Sequence, residues 1–131
     1  MESLTIKTAK REQMVPITTQ LQEIVVRHGW KDGVLFLHCP HTTAGLTVNE
    51  NADPDVVRDI LTTLARLIPE RGDYRHTEGN SDAHLKASVM GPSLTLLVEA
   101  GRIRLGAWQG VFFCEFDGPR NRQLWVQWLG K

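Results

Sequence analysis

Apolar and polar residues alternate near both ends of the chain. Residues 4–8 and 124–128 follow a period of two, which predicts a half-buried strand in each segment. Residues 34–38 are apolar at almost every position, a pattern typical of a strand that is covered on both faces. The stretch 42–48 is predicted to be the next strand, weakened by Gly45.

Two longer segments have helical periodicity instead. The first is predicted to begin at a capping box formed by Thr19 and Gln22 and to stop at Gly29. The second has Asp53 as its N-cap and ends before Pro69. Its apolar residues recur at helical spacing: Val56, Val57, Ile60, Leu61, Leu64 and Leu67.

A polar segment follows the second helix. Residues 69–81 contain little that could fill a core, so we expect a loop that is longer than most. Ser81 or Asp82 then caps a short third helix that reaches about Met90. Because long ordered loops often carry function, this segment is a candidate for part of the functional site.

Strand candidates cluster at the end of the chain: 94–99, 102–105, 111–116 and 124–128. Strands that do not alternate with helices predict an α+β fold with a largely antiparallel β-sandwich and about three helices, and they exclude a doubly wound α/β fold. The length of 131 residues suits one core, so we expect a single domain over 1–131.

Charge and composition exclude some classes of partner. Fifteen basic and fifteen acidic residues cancel, so the chain lacks the positive field that attracts nucleic acid or anionic lipid. There is no apolar run of membrane-spanning length and no leader-like pattern, so we expect a cytoplasmic protein without a membrane partner. Cys39 and Cys114 are expected to be buried free thiols.

Three histidines lie in polar, turn-rich sequence: His41, His76 and His84. Imidazole transfers protons near neutral pH and binds zinc, so the three could form one site for proton transfer or for a divalent ion. The alternative is that they are separate surface or capping residues, since their spacing matches no zinc signature. Glu78 and Asp82 are close enough in sequence to orient an imidazole through its second nitrogen.

A second polar group lies where a strand is predicted to give way to a helix. Asn49, Glu50 and Asp53 supply an amide and two carboxylates there. Capping explains Asp53 better than catalysis does, whereas Glu50 has no obvious capping role.

Further pocket candidates occur on the third helix and near residue 108. Ser88 lies four residues after His84, so the two share a helix face that could line a pocket. Trp108 and Gln109 could form a pocket wall, although tryptophan more often packs in a core or an interface.

Five segments resemble the signature segments of a known family: 41–44, 49–54, 76–84, 105–110 and 113–120. They are similar to those of the YjbQ family, also called the secondary thiamine-phosphate synthase family, and the resemblance covers about residues 4–128. It implies an α+β fold with a β-sandwich, assembled as a homotrimer with sites near the subunit boundaries. It also implies a weak activity that joins a hydroxymethylpyrimidine diphosphate to a thiazole phosphate, giving thiamine phosphate and pyrophosphate.

The matching positions are the candidates for the pocket. The expected catalytic residues are His41, Glu50, His76, Glu78, Asp82 and His84, and the histidines are also the candidate ligands of a zinc or magnesium ion. The expected substrate-binding residues are Asn49, Asn80, Ser88, Trp108 and Gln109, with Asp53 beside them. The alternative is a trimeric protein that binds a metal or a metabolite without significant catalysis.

Overall fold

The computed structural model describes all 131 residues, in three helices and eight strands. The helices are α1 (Thr18–Arg27), α2 (Pro54–Leu67) and α3 (Ser81–Met90). The strands are β1 (Glu2–Lys7), β2 (Gln13–Pro16), β3 (Gly33–His38), β4 (Ala44–Glu50), β5 (Ser93–Glu99), β6 (Arg102–Ile103), β7 (Gln109–Glu115) and β8 (Asn121–Gly130).

The strands form two antiparallel sheets. The larger has the order β1-β8-β3-β5-β6 and the smaller has the order β2-β7-β4. The predicted α+β class, with antiparallel sheets and three helices, is confirmed. None of the three helices has the length and apolar character that crossing a bilayer requires.

The main core lies between the two sheets. Leu35, Leu96 and Leu124 from the larger sheet share it with Leu46 and Phe113 from the smaller one, and all five are buried. One face of α1 completes it through Leu21, Ile24 and Val25. Burying aliphatic side chains from three elements in one volume is what holds the sheets together.

A second, smaller core lies on the opposite face of the small sheet. Its six buried residues are Met14, Ala83, Ala87, Phe112, Cys114 and Phe116. Helix α2 packs on this core through one side, but none of its residues is fully buried. The small sheet is therefore covered on both faces, by the large sheet on one side and by α2 and α3 on the other.

The large sheet, in contrast, has one open face. Phe36 and Trp125 project from it, and Leu97 and Leu129 are each 62% exposed. The expectation that residues 34–38 are covered on both faces is wrong, because β3 belongs to this sheet. Strand β7 has that property instead, since it runs through the middle of the small sheet.

The predicted N-cap of α2 is present in the structure, but the predicted capping box of α1 is not. Asp53 caps α2 as predicted, accepting a hydrogen bond from the Asp55 amide at 2.9 Å. The capping box at Thr19 is wrong: Ile17 is the N-cap of α1, and the Gln22 side chain instead bonds the backbone of Gly101 and Ile103.

One strand was missed by the sequence patterns, whereas the loop before α3 and the state of the cysteines agree with expectation. Strand β2 was not expected. The segment 69–80 contains no helix or strand, and both cysteines are free and buried, as predicted.

Candidate functional site

The polar segment before α3 and the first turns of that helix line an open surface cavity of about 380 Å³. The residues that line it are Asp73, Tyr74, Arg75, His76, Ser81, His84 and Leu85. Tyr74 holds the segment in shape by donating its hydroxyl to the Pro69 carbonyl at 2.6 Å. We call this space the histidine cavity.

His76 and His84 face one another at this cavity. Their ring centroids lie 5.3 Å apart, with the planes at 83°, so one ring meets the other edge to face. His84 is on the first turns of α3 and His76 is on the segment before it. Two imidazoles, one from the helix and one from the segment before it, therefore line the same open space.

The side chain of Asn80 fixes which nitrogen of His76 carries the proton. Its Nδ2 donates to Asp117 Oδ2 at 2.9 Å, and its Oδ1 lies 3.1 Å from His76 Nε2. Because a carboxylate can only accept, the amide nitrogen must face Asp117 and the amide oxygen must face the ring. His76 Nε2 is then the donor, which leaves Nδ1 of the neutral ring with a free lone pair.

Asp117 is itself held by a buried ion pair. Its backbone amide donates to Glu115 Oε2 at 3.0 Å, and Glu115 pairs with Arg122. Burial alone would raise the pKa of Glu115, but hydrogen bonds from Arg122, the Asp117 amide and Thr8 outweigh it and lower that pKa. The carboxylate stays charged, so His76 is connected through Asn80 and Asp117 to a charged, buried anchor.

His41 lies elsewhere and has a different partner. Its Nε2 accepts a hydrogen bond from the Gln123 backbone amide at 2.9 Å. Partial burial, together with the nearby charge of Arg122, lowers the pKa of His41, so the neutral ring is favoured. Within one chain the structure brings His76 and His84 together but does not add His41 to them.

Asp82 does not face the histidines. It is fully buried and accepts from Arg11 at 3.0 Å and from Lys86 at 2.8 Å. Burial alone would raise the pKa of Asp82, but these two cations lower it. Residues 82 and 84 are about 200° apart around a helix, so the side that carries Asp82 points away from His84. The expectation that Asp82 orients an imidazole is therefore wrong.

Glu78 and Ser88 contact the two histidines without lining the histidine cavity. Glu78 is exposed, 3.8 Å from His76 Nε2, which already faces Asn80. Ser88 donates its hydroxyl to the His84 carbonyl at 3.1 Å, so it serves the helix backbone. Neither residue lines the cavity.

A sequence model described as UPF0047 protein YjbQ-like matches residues 2–131. The chain belongs to this family. A UPF0047 protein of Methanocaldococcus jannaschii is 50% identical over 125 residues, which cover 95% of this chain and 91% of that protein. The UPF0047 protein YugU of Bacillus subtilis is 46% identical over 131 residues, which cover 99% of each chain.

Solved structures of similar proteins have the same fold. An uncharacterised conserved protein of the YjbQ/UPF0047 family from Clostridium acetobutylicum superposes with a TM-score of 0.96 at 49% identity, covering 98% of this chain and 100% of that one. A conserved hypothetical protein from Thermus thermophilus gives a TM-score of 0.92 at 48% identity, covering 98% and 100% of the two chains.

The remaining candidates of this YjbQ-like chain form a second group, at the ends of β4 and β7. Glu50 pairs with Gln109 in the sheet register, and Asn49 accepts from the Glu50 amide at 2.7 Å. Glu50 and Asp53 line a separate cavity of about 250 Å³, which shares no residue with the histidine cavity. The structure thus separates this second group from the histidine cavity.

Trp108 and Gln109 have separate roles in this second group. Trp108 is largely exposed, whereas Gln109 Oε1 accepts from the Gly106 amide at 2.8 Å and closes the turn before β7.

The donor set for a metal is small in this YjbQ-like chain. No group of three or more His, Cys, Asp or Glu side chains is arranged to hold an ion. A zinc site uses three or four protein ligands, whereas the histidine cavity offers two imidazoles. The residues of one chain therefore do not fit the predicted three-histidine zinc or magnesium site.

Two residues near the cavity did not stand out as candidates in the sequence. Ser81 was expected to be a possible cap, but Asn80 is the N-cap residue and the Ser81 hydroxyl has no partner. Asp117 lies within segment 113–120, but neither the residue pattern nor the resemblance marks it as a site residue. Its contact with Asn80 joins segments that are distant in sequence, so no local pattern could have indicated it.

Proposed function

We propose that the histidine cavity is a catalytic site for a phosphorylated heterocycle and that the chain has a weak thiamine-phosphate synthase-like activity. The observation that carries the proposal is the pair His76 and His84, which meet at an open cavity that Arg75 also lines. A volume of about 380 Å³ lies in the range of small-molecule sites.

The reaction needs a stabilised leaving group more than a base. The thiazole nitrogen uses its lone pair to form a bond to the pyrimidine methylene carbon. The carbon–oxygen bond to the diphosphate breaks, and its electron pair leaves with pyrophosphate. Because the nitrogen carries no proton, none has to be removed, and hydrogen-bond donors that meet the departing oxygens supply the acceleration.

The cavity residues suit that task. His84 and Arg75 can donate to phosphate oxygens, and His76 is oriented by Asn80. No step in this scheme uses a metal ion. A zinc or magnesium ion would need ligands from water, substrate or a second subunit beside the two imidazoles.

We also propose that the chain assembles as a homotrimer through the open face of the large sheet. Phe36, Leu97, Trp125 and Leu129 form an exposed apolar surface there. Surfaces of this kind on a small domain are commonly covered by a partner.

Steady-state turnover tests the catalytic proposal. The wild-type protein should convert hydroxymethylpyrimidine diphosphate and thiazole phosphate into thiamine phosphate and pyrophosphate. His76→Ala and His84→Ala should each lower kcat/KM by roughly 100-fold with unchanged circular dichroism. The matched control is His28→Ala, because His28 lies at the end of α1 and contacts Glu2.

The same experiment separates the alternative class. A wild-type protein that binds the substrates but does not turn them over would favour a metabolite-binding protein. Equal activity in the His76→Ala variant and in the His28→Ala control would refute the assignment of the cavity.

A further inference from the structure

We infer that Arg11 is a positioning residue for the histidine cavity, because its guanidinium joins one end of the segment 69–80, at Glu70, to α3, at Asp82. The inference rests on the proposed function, since it names a residue that would hold the same site ready for its substrate. Arg11 lies in the loop between β1 and β2 and does not line the cavity. We call its contacts with Glu70 and Asp82 the Arg11 clasp.

The guanidinium of Arg11 meets two carboxylates at once. Its Nη1 and Nη2 donate to Asp82 Oδ2 and Oδ1 at 3.2 and 3.0 Å, and its Nε lies 3.4 Å from Glu70 Oε1. A planar guanidinium presents its donors in a fixed fork, so a bidentate bond to one carboxylate also fixes the direction in which the remaining donor points. The clasp therefore sets where Glu70 lies relative to α3.

The loop that carries Arg11 is itself firmly held. The Arg11 carbonyl accepts from the Gly118 amide at 2.9 Å. The neighbouring Glu12 accepts from Lys86 Nζ at 2.9 Å, and Lys86 also donates to Asp82 at 2.8 Å. The side chains of Lys86 and Asp82 are only 1% and 0% exposed, so the α3 end of the clasp belongs to the folded interior.

The segment 69–80 has few other attachments. Its side chains make two polar contacts beyond the segment, at Glu70 near its start and between Asn80 and Asp117 at its end. His76 lies between these two points, and no helix or strand supports it. Without the contact at Glu70, the first half of the segment gains conformations in which the His76 ring leaves its place in the cavity.

The two ends of the clasp differ in exposure, which separates positioning from folding. The Glu70 side chain is 58% exposed, whereas that of Asp82 is buried. Exposed ion pairs contribute little to the stability of a domain, so loss of the Glu70 contact should leave the protein folded. It should instead lower the fraction of molecules whose cavity is arranged for substrate, and apparent affinity falls in proportion to that fraction.

Glu70→Ala tests the clasp without disturbing its buried end. It should raise KM for hydroxymethylpyrimidine diphosphate roughly threefold, the scale of one exposed ion pair, and leave kcat within about twofold. Nuclear Overhauser effects between the rings of His76 and His84 should weaken in the same variant, with an unchanged urea midpoint. Glu70→Gln, which keeps an acceptor oxygen at the same reach, should restore part of both. Asp59→Ala is the matched control, because it removes an exposed ion pair with Arg58 on α2.

The outcomes distinguish this inference from the proposed activity. Ring contacts of His76 and His84 that survive in Glu70→Ala, or that weaken equally in Asp59→Ala, would overturn the clasp even if the wild-type protein is an active synthase. Ring contacts that weaken in Glu70→Ala alone, in a protein without turnover, would support the clasp and refute the synthase. Arg11→Ala should raise KM at least as much, but it also leaves the buried Asp82 with one cation. The Glu70 variant therefore decides the matter if Arg11→Ala folds poorly.

Discussion

Asn80 and Asp117 lie 37 positions apart in sequence, and their side chains meet at 2.9 Å. The bond turns the amide oxygen of Asn80 towards His76, so a residue that does not line the histidine cavity determines the tautomer of one that does. Asp117 is therefore a positioning residue.

The first prediction concerns that relationship. Asp117→Ala should lower kcat/KM roughly tenfold, the scale seen when a partner that orients a functional imidazole is removed. It should also change the tautomer of His76 from Nε2–H to a mixture, which the ¹⁵N shifts of the ring report. Asp117→Asn retains an acceptor oxygen and should preserve the wild-type tautomer. A His76 spectrum unchanged by the alanine substitution would contradict the assignment.

The second prediction concerns the buried pair of Glu115 and Arg122. Glu115→Ala leaves a buried guanidinium without its carboxylate, which should cost about 3–5 kcal/mol in the free energy of unfolding. The exposed pair of Glu99 and Arg104 provides a matched control, and Glu99→Ala should cost at most about 1 kcal/mol. Urea denaturation of both variants measures the difference, and similar losses would argue against the role of burial.

The third prediction concerns the pH dependence of stability through His41. Its pKa is lowered in the folded protein from the ordinary value of 6.5, so protons bind the unfolded chain preferentially. This contribution to stability is fully present above about pH 6.5 and is lost as the pH falls towards the folded pKa. The free energy of unfolding of wild-type protein should therefore fall more between pH 7.5 and 5.5 than that of His41→Gln. Parallel losses in the two proteins would be incompatible with a lowered pKa of the partly buried His41.

The fourth prediction concerns assembly. Light scattering should return three times the chain mass for the wild-type protein. Leu97→Glu, on the open face of the large sheet, should shift the mass towards that of one chain because it places a charge in the proposed contact. Val26→Glu changes an equally exposed apolar residue on α1 and should leave the trimer intact. A wild-type monomer at micromolar concentration would end the proposal.

Much of the fold follows from local signals in the sequence. Asp53 and Pro69 bound α2 because a cap and a helix breaker act within one turn. The open face of β3 could not be predicted in this way, because the number of layers on a sheet depends on elements far away in sequence.

The candidate site also combines contacts that are local in sequence with contacts between distant segments. His76 and His84 lie together because a short segment around one helix start connects them, whereas the predicted convergence of His41 with them does not occur within one chain. The partners of His41 and Asp82 come from distant segments, at Gln123 and Arg11, so their roles emerged only from the tertiary structure.

The absence of any fully buried residue in α2 has a consequence for dynamics. The helix layer is held by a six-residue core, whereas the two sheets share one of sixteen residues. Opening of that layer should therefore require less free energy than global unfolding, and its amides should exchange with solvent before those of β7. The histidine cavity is bounded by α3 and the segment that joins it to α2. It therefore belongs to the layer that can open locally while the two sheets stay folded.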